Sequence, residues 1–160
     1  MAMIVAAFIL IVSTTLFFYY LQAACQKILR RQFGRAYFQS IVNVNRLEFL
    51  SLRKSVEEFG SPVDYPRLRV MLKCDFLALT YLLKNAANVN LGYSYDEHLL
   101  MLYFRWQLVS LAIRRLLKVS ENKAILRLTS VLLYFANVVG QRVDSVRFGS
   151  LTAADYFLRL

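Results

Sequence analysis

Histidine occurs once, cysteine twice, proline twice and glycine five times in this 160-residue chain, and each scarcity removes a class of structure or chemistry. A single histidine, His98, and two distant cysteines, Cys25 and Cys74, give no ligand spacing for zinc, haem or an iron–sulfur cluster. With Cys25 expected at a membrane edge and Cys74 inside a helix, no disulfide framework is expected either. Cys74 lies between Lys73 and Asp75 on an apolar helix, where a structural thiol is favoured over a reactive one. The glycines, at 34, 60, 92, 140 and 149, are too dispersed for a phosphate-cradling loop. No serine sits in a nucleophile-elbow context. Acids adjoin only at Glu57–Glu58 and Asp96–Glu97, both of which read as helix-end features. No cofactor, no metal and no catalytic activity are therefore expected. Internal repeats, Gln/Asn-rich tracts and Ser/Gly spacers are also missing, so disorder is not expected beyond the last few residues.

Charge is missing from one region entirely: no Asp, Glu, Lys, Arg or His precedes Lys27. At about 1.5 Å per helical residue, residues 2–24 extend roughly 35 Å, enough to cross a hydrocarbon core of about 30 Å. Ser13, Thr14 and Thr15 are tolerable there because their hydroxyls bond back to helix carbonyls. Phe17, Phe18, Tyr19 and Tyr20 gather towards the C-terminal end, where amphipathic rings mark a membrane–water boundary. A cleaved signal peptide would need a basic start and a shorter apolar run. A lipoprotein signal at Cys25 would need an aliphatic residue where Gln22 stands. A buried core helix does not account for a charge-free stretch of this length. The expectation is one spanning helix, residues 1–26, followed by a basic juxtamembrane segment, 27–35, and a helical domain, 36–160.

Lys27, Arg30, Arg31 and Arg35 follow the apolar run. On a helix continuing out of the bilayer, their offsets of 3, 4 and 8 place them on one face, suited to lipid headgroups. Cations flanking a span stay in the cytoplasm, so the N-terminus is expected outside and the helical domain inside, at a plasma or bacterial inner membrane. All of the net charge of +10 belongs to the part behind the span. It suits an anionic partner, whether lipid, nucleic acid or acidic protein. The other basic clusters, Arg67/Arg69/Lys73 and Arg114/Arg115/Lys118, carry no recognition-helix or stacking signature, and nucleic acid is not the expected partner.

The fold class read from residues 36–160 is all-α, a compact bundle of four to five helices behind the spanning one. Apolar residues recur at spacings of three and four over residues 34–59, with a break suggested near Asn43 and Asn45. Gly60, Ser61 and Pro62 end that segment. A second helix opens at Asp64 with Pro66 in its first turn and runs to about Ala87. A third begins at a capping box, Ser94 with Glu97, and runs from Tyr95 to about Lys118. A fourth is expected from Ser120 to about Val139, stopped by Gly140, and a short last one from Thr152 to Leu160. Lys73, Asp75, Arg105 and Arg127 interrupt the apolar runs of these helices, so no further span is expected.

Asp75 and Arg105 stand amid apolar neighbours near the middles of the second and third helices. If those helices are antiparallel neighbours, the two charges can form a buried ion pair that fixes their register; the alternative is that both side chains reach out to solvent. His98, in a first helical turn, reads as a cap-region residue. The apolar excess of the later helices points either to a tightly packed core or to a face covered by a partner or resting on the bilayer. Together these features predict a non-enzymatic, membrane-anchored interaction protein, an accessory or assembly subunit that binds a protein partner or itself. The alternative is a module binding anionic lipid through Lys27, Arg30, Arg31 and Arg35.

Overall fold

The computed structural model describes residues 2–31, 33, 36–59, 64–85, 93–117, 119 and 121–157, with the backbone alone for 2, 59 and 146–157. Among them there are six helices and no strand: α1 (Ala2–Leu29), α2 (Phe38–Asn45), α3 (Phe49–Phe59), α4 (Tyr65–Asn85), α5 (Tyr95–Leu116) and α6 (Asn122–Phe157). The all-α class holds, with five helices behind the apolar first one.

α1 is long and apolar enough to span a membrane over Met3–Leu29. The hydroxyls of Thr14 and Thr15 bond back to the carbonyls of Leu10 and Ile11, at 2.7 and 2.8 Å, which satisfies them inside an apolar helix. Most of its side chains are exposed; only Leu21 and Cys25 are buried, against the bundle.

The break expected near Asn43 and Asn45 falls between α2 and α3. Arg46 closes α2 in the left-handed conformation, with φ of 50°, and both its amide and that of Leu47 return to the Val42 carbonyl. That reversal satisfies end carbonyls and turns the chain. α4 starts one residue after Asp64, whose carbonyl accepts from the Leu68 amide at 2.9 Å; Ala87 lies outside the described residues. α5 begins at a complete capping box. The Ser94 amide donates to Glu97 Oε2 at 2.9 Å, and the Glu97 amide donates to Ser94 Oγ at 3.3 Å. Gly34, Gly60, Ser61, Pro62, Lys118, Ser120 and Leu160 lie outside the described residues.

α6 is the axis of the bundle and packs against each of the other five helices. It overturns one expectation: Gly140 does not stop a helix at Val139, and Thr152 and Asp155 do not start a new one, because a single helix runs through all three to Phe157. Glycine lowers helix propensity by only about 1 kcal/mol, which tertiary packing outweighs. Here Gly140 is buried, and a Cβ at that position would stand 2.5 Å from Tyr37 Cβ and 3.0 Å from the Tyr37 carbonyl oxygen. The missing side chain is what lets the start of α2 lie against α6. Asn137, one turn earlier, accepts from the Phe38 amide at 3.2 Å and so serves the same helix start. Asn122–Ser145 of α6 also has the length and hydropathy of a span, but two-thirds of it is buried in the bundle. That is the pattern of a core helix. Around it gather Leu68, Leu72 and Leu79 of α4, Leu100, Tyr103 and Phe104 of α5, and Phe49 of α3.

Candidate membrane and interaction surfaces

The C-terminal half of α1 is docked on α5. Phe18 stacks on Trp106, the only tryptophan, with ring centroids 3.6 Å apart and planes 12° from parallel. Leu21 and Cys25 follow at the next turns, and Cys25 Sγ approaches the Leu99 carbonyl oxygen at 3.8 Å. Cys25 and Cys74 are both free thiols. Cys25 is buried between helices and Cys74 is exposed on α4. Beside this contact, the exposed Phe17 packs edge-on to Phe18, and the exposed Tyr19 and Tyr20 pack edge-on to each other.

Of the basic segment, Lys27, Arg30 and Arg31 are exposed, while Arg35 lies outside the described residues. The regular helix ends at Leu29, and Phe33 packs edge-on to Tyr134 of α6 at 5.4 Å. Of these cations only Lys27 lies within the helix, and Arg30 and Arg31 follow its end. Arg31 pairs with Asp96 at 3.4 Å across an open surface, an arrangement worth little in water.

The structure does not bring Asp75 and Arg105 together. Asp75 is buried, but its carboxylate Oδ2 accepts from the amides of Phe49, at 2.9 Å, and Glu48, at 3.1 Å. Arg105 is exposed on α5. The carboxylate thus caps the start of α3 from another helix, supplying acceptors to amides that have no partner within their own helix. A helix start offers donors and a positive dipole end, which offset part of the cost of burying the carboxylate.

Burial pushes the Asp75 carboxyl above the usual carboxylate range, against the opposing pull of the Phe49 and Glu48 amides; the Glu48 charge pushes it the same way as burial. The folded chain therefore binds that proton more readily than the unfolded one. Asp75's contribution to stability falls as pH rises from the ordinary carboxylate range through the folded value. Asp75→Ala should cost about 1–3 kcal/mol by stranding two amides, whereas Arg105→Ala should stay within about 0.5 kcal/mol. Asp75→Asn keeps one acceptor and should flatten the acid-side dependence of the melting temperature. Equal losses for the alanine variants at 75 and 105, with strong coupling between them, would restore the ion pair in place of the cap.

A charge cluster that sequence spacing did not indicate lies at the other end of α4. Arg142 of α6 meets Glu97 at 2.6 Å and donates through Nη1 to the Leu83 carbonyl at 2.8 Å. One guanidinium so joins the last turn of α4 to the first turn of α5. A helix expected to end at Val139 gave no reason to look at Arg142. His98 is exposed, with Nδ1 3.1 Å from the Ser94 carbonyl oxygen, a cap-region position as expected.

Two helices carry apolar side chains on their outer faces. On α4 these are Val70, Leu77 and Tyr81, with Lys73 exposed beside them. On α5 they are Leu102, Val109, Ile113 and Leu116. An open groove of about 610 Å³ between α4 and the α2–α3 turn is lined by Arg46, Glu48, Arg67, Cys74 and Asp75 among others. Among the described residues, no three His, Cys, Asp or Glu side chains converge as a metal site would require. No protein-family model, curated protein or solved structure matches this chain.

Proposed function

We propose that the chain is a membrane-anchored, non-catalytic interaction protein, an accessory or assembly subunit whose helical domain packs on a protein partner or on a second copy of itself. The observation that carries this reading is apolar surface outside the anchor. Val70, Leu77 and Tyr81 recur at helical spacing on the outer face of α4, whose opposite face, with Leu68, Leu72 and Leu79, is core. A helix at the surface of a lone bundle normally turns polar residues outward, and a contiguous apolar patch marks a contact. The cations beside it, Arg67 and Lys73, favour an acidic rim on the partner. With the positive-inside bias of Lys27, Arg30 and Arg31, the domain lies on the cytoplasmic side and the N-terminus outside.

Purifying the full-length tagged chain in mild detergent, with mass determination and identification of co-purifying chains, tests this reading. A stoichiometric partner or a defined homo-oligomer is expected, and Leu77→Glu should dissolve it. A monodisperse monomer with nothing bound overturns it. A second reading, anionic-lipid binding through the juxtamembrane cations, is favoured by the exposure of Lys27, Arg30 and Arg31.

A further inference from the structure

The contacts between α1 and α5 fix the relative direction of the two helices. Phe18 meets Trp106, Cys25 meets Leu99, and Arg31 meets Asp96. Positions rise along α1 as they fall along α5, so the helices are antiparallel. Beyond Trp106, α5 continues for ten residues to Leu116, about 15 Å of helix. It advances in the direction in which α1 runs from Phe18 back towards its own N-terminus, the part that reads as lipid-embedded. The turn joining α5 to α6 therefore points to the side of the molecule from which the anchor leaves.

The surface at that end has the composition of a membrane contact. Leu102, Val109, Ile113 and Leu116 are exposed at intervals of 7, 4 and 3 residues, which places them within about 60° of one another on α5. Among the described residues of the tip, Leu116 is 83% exposed, Leu117 68% and Val119 50%; Lys118 and Ser120 of the same stretch lie outside the described residues. Arg115 and Lys123 are exposed on either side of it. The first turn of α4 arrives at the same corner, where the Arg115 guanidinium lies 5.1 Å from the centre of the Tyr65 ring, and brings the exposed Arg67 and Arg69 with it. The described acids at this corner are Glu121, paired with Arg115 at 3.5 Å, and Asp64, exposed at the start of α4. Long cationic side chains beside a leucine tip suit the headgroup boundary, because their stems lie along apolar surface while their charges reach the phosphates.

The docking of α1 also locates that boundary. Leu21 and Cys25 are buried in the bundle, which leaves residues 2–20 for the bilayer. Nineteen helical residues extend about 28 Å, close to one hydrocarbon core. The aromatic cluster of Phe17, Phe18, Tyr19 and Tyr20, extended by Trp106, then falls at the interface, where such rings concentrate. Residues 3–17 of α1 are exposed all round, so α5 inclines away from α1 beyond Trp106 and only part of its roughly 15 Å counts as depth. In that frame the α5–α6 corner lies just on the lipid side of Trp106, nearer the lipid than Arg30 or Arg31.

We propose that the α5–α6 corner, with Leu116, Leu117 and Val119 at its tip, inserts into the headgroup–acyl boundary of the leaflet from which α1 emerges. The domain is then held to the bilayer at two points and cannot swing freely about its anchor. This rests on the reading of α1 as a spanning helix, and the test separates the two.

The full chain carrying Cys74→Ser is labelled with an environment-sensitive fluorophore at Leu117→Cys, at Phe8→Cys or at Lys84→Cys, and reconstituted into phosphatidylcholine vesicles containing phosphatidylserine. Lys84, exposed at the far end of α4, is the aqueous reference. The expected result is a blue-shifted label at 117, quenched by shallow nitroxide lipid and several-fold less accessible to iodide than the label at 84. Adding Leu116→Glu and Val119→Glu should return it to the accessibility of the reference, a result that insertion driven by the fluorophore would not give. A label at 117 as accessible as that at 84, with the label at 8 in lipid, overturns the second contact and leaves the anchor standing. Labels at 8 and 117 both in water overturn the anchor and this proposal together.

Discussion

Glu97→Ala is expected to destabilise the bundle by about 3–5 kcal/mol, the cost of removing one member of a buried ion pair. Three interactions disappear with that carboxylate. Oε2 accepts from the Ser94 amide in the capping box. Oε1 takes Nη2 of Arg142 at 2.6 Å. The pair in turn holds the guanidinium against the Leu83 carbonyl. The Glu97 side chain is 3% exposed and that of Arg142 20%, so water replaces only part of what is lost, on the Arg142 side. Glu97→Gln keeps the neutral part of the cap and should cost less. Arg142→Met retains an apolar stem but leaves a buried carboxylate facing no cation, and its loss should approach that of Glu97→Ala. Thermal unfolding of the four members of the Glu97→Ala, Arg142→Met cycle measures the coupling. Two groups in direct contact should show a clearly non-additive pair. Losses below about 1 kcal/mol in both single variants would mean that the helix ends at this corner are held by packing alone.

This cluster also shows what local sequence could convey. Ser94 and Glu97 stand three apart, and the capping box they announce is present atom for atom, because both of its hydrogen bonds close within one turn. Asp64 and Pro66 likewise mark the start of α4, and Asn45 stands beside the turn at Arg46 that divides α2 from α3. The apolar, charge-free run of residues 1–26 gives a helix with the length and hydropathy of a span. Each of these signals lies within a few residues of its effect. Arg142, Asn137 and Asp75 differ. Each serves the backbone of a helix 26 to 99 positions away in sequence, and a single sequence holds no mark of such a partner. Asp75 did stand out as a charge forced inward, and it is buried. The expectation of Arg105 as its partner assumed that a buried carboxylate needs a cation, when two free amides at the start of α3 serve. For the surfaces, the apolar excess of the later helices was visible in composition. Its assignment to the outer faces of α4 and α5 required knowing that α6 fills the axis.

Gly140→Ala is the second large effect, and there the sign of the change is what matters. In a helix interior with open space around it, alanine stabilises relative to glycine by about 1 kcal/mol. At Gly140 the new methyl would fall 2.5 Å from Tyr37 Cβ and 3.0 Å from the Tyr37 carbonyl oxygen. Neither atom is the far end of a flexible side chain. Relief requires moving the backbone that leads into α2, and with it the Phe38 amide held by Asn137. Overpacking of this kind costs about 1–3 kcal/mol, enough to reverse the helix-propensity gain. Gly140→Val adds a branched side chain to the same gap and should cost more. The net expectation is a lower melting temperature for Gly140→Ala, a still lower one for Gly140→Val, and partial recovery in Tyr37→Gly/Gly140→Ala, where the opposing Cβ is gone. A higher melting temperature for Gly140→Ala would mean that α2 does not lie against α6 at this point, and that Gly140 is in the helix for some reason other than close approach.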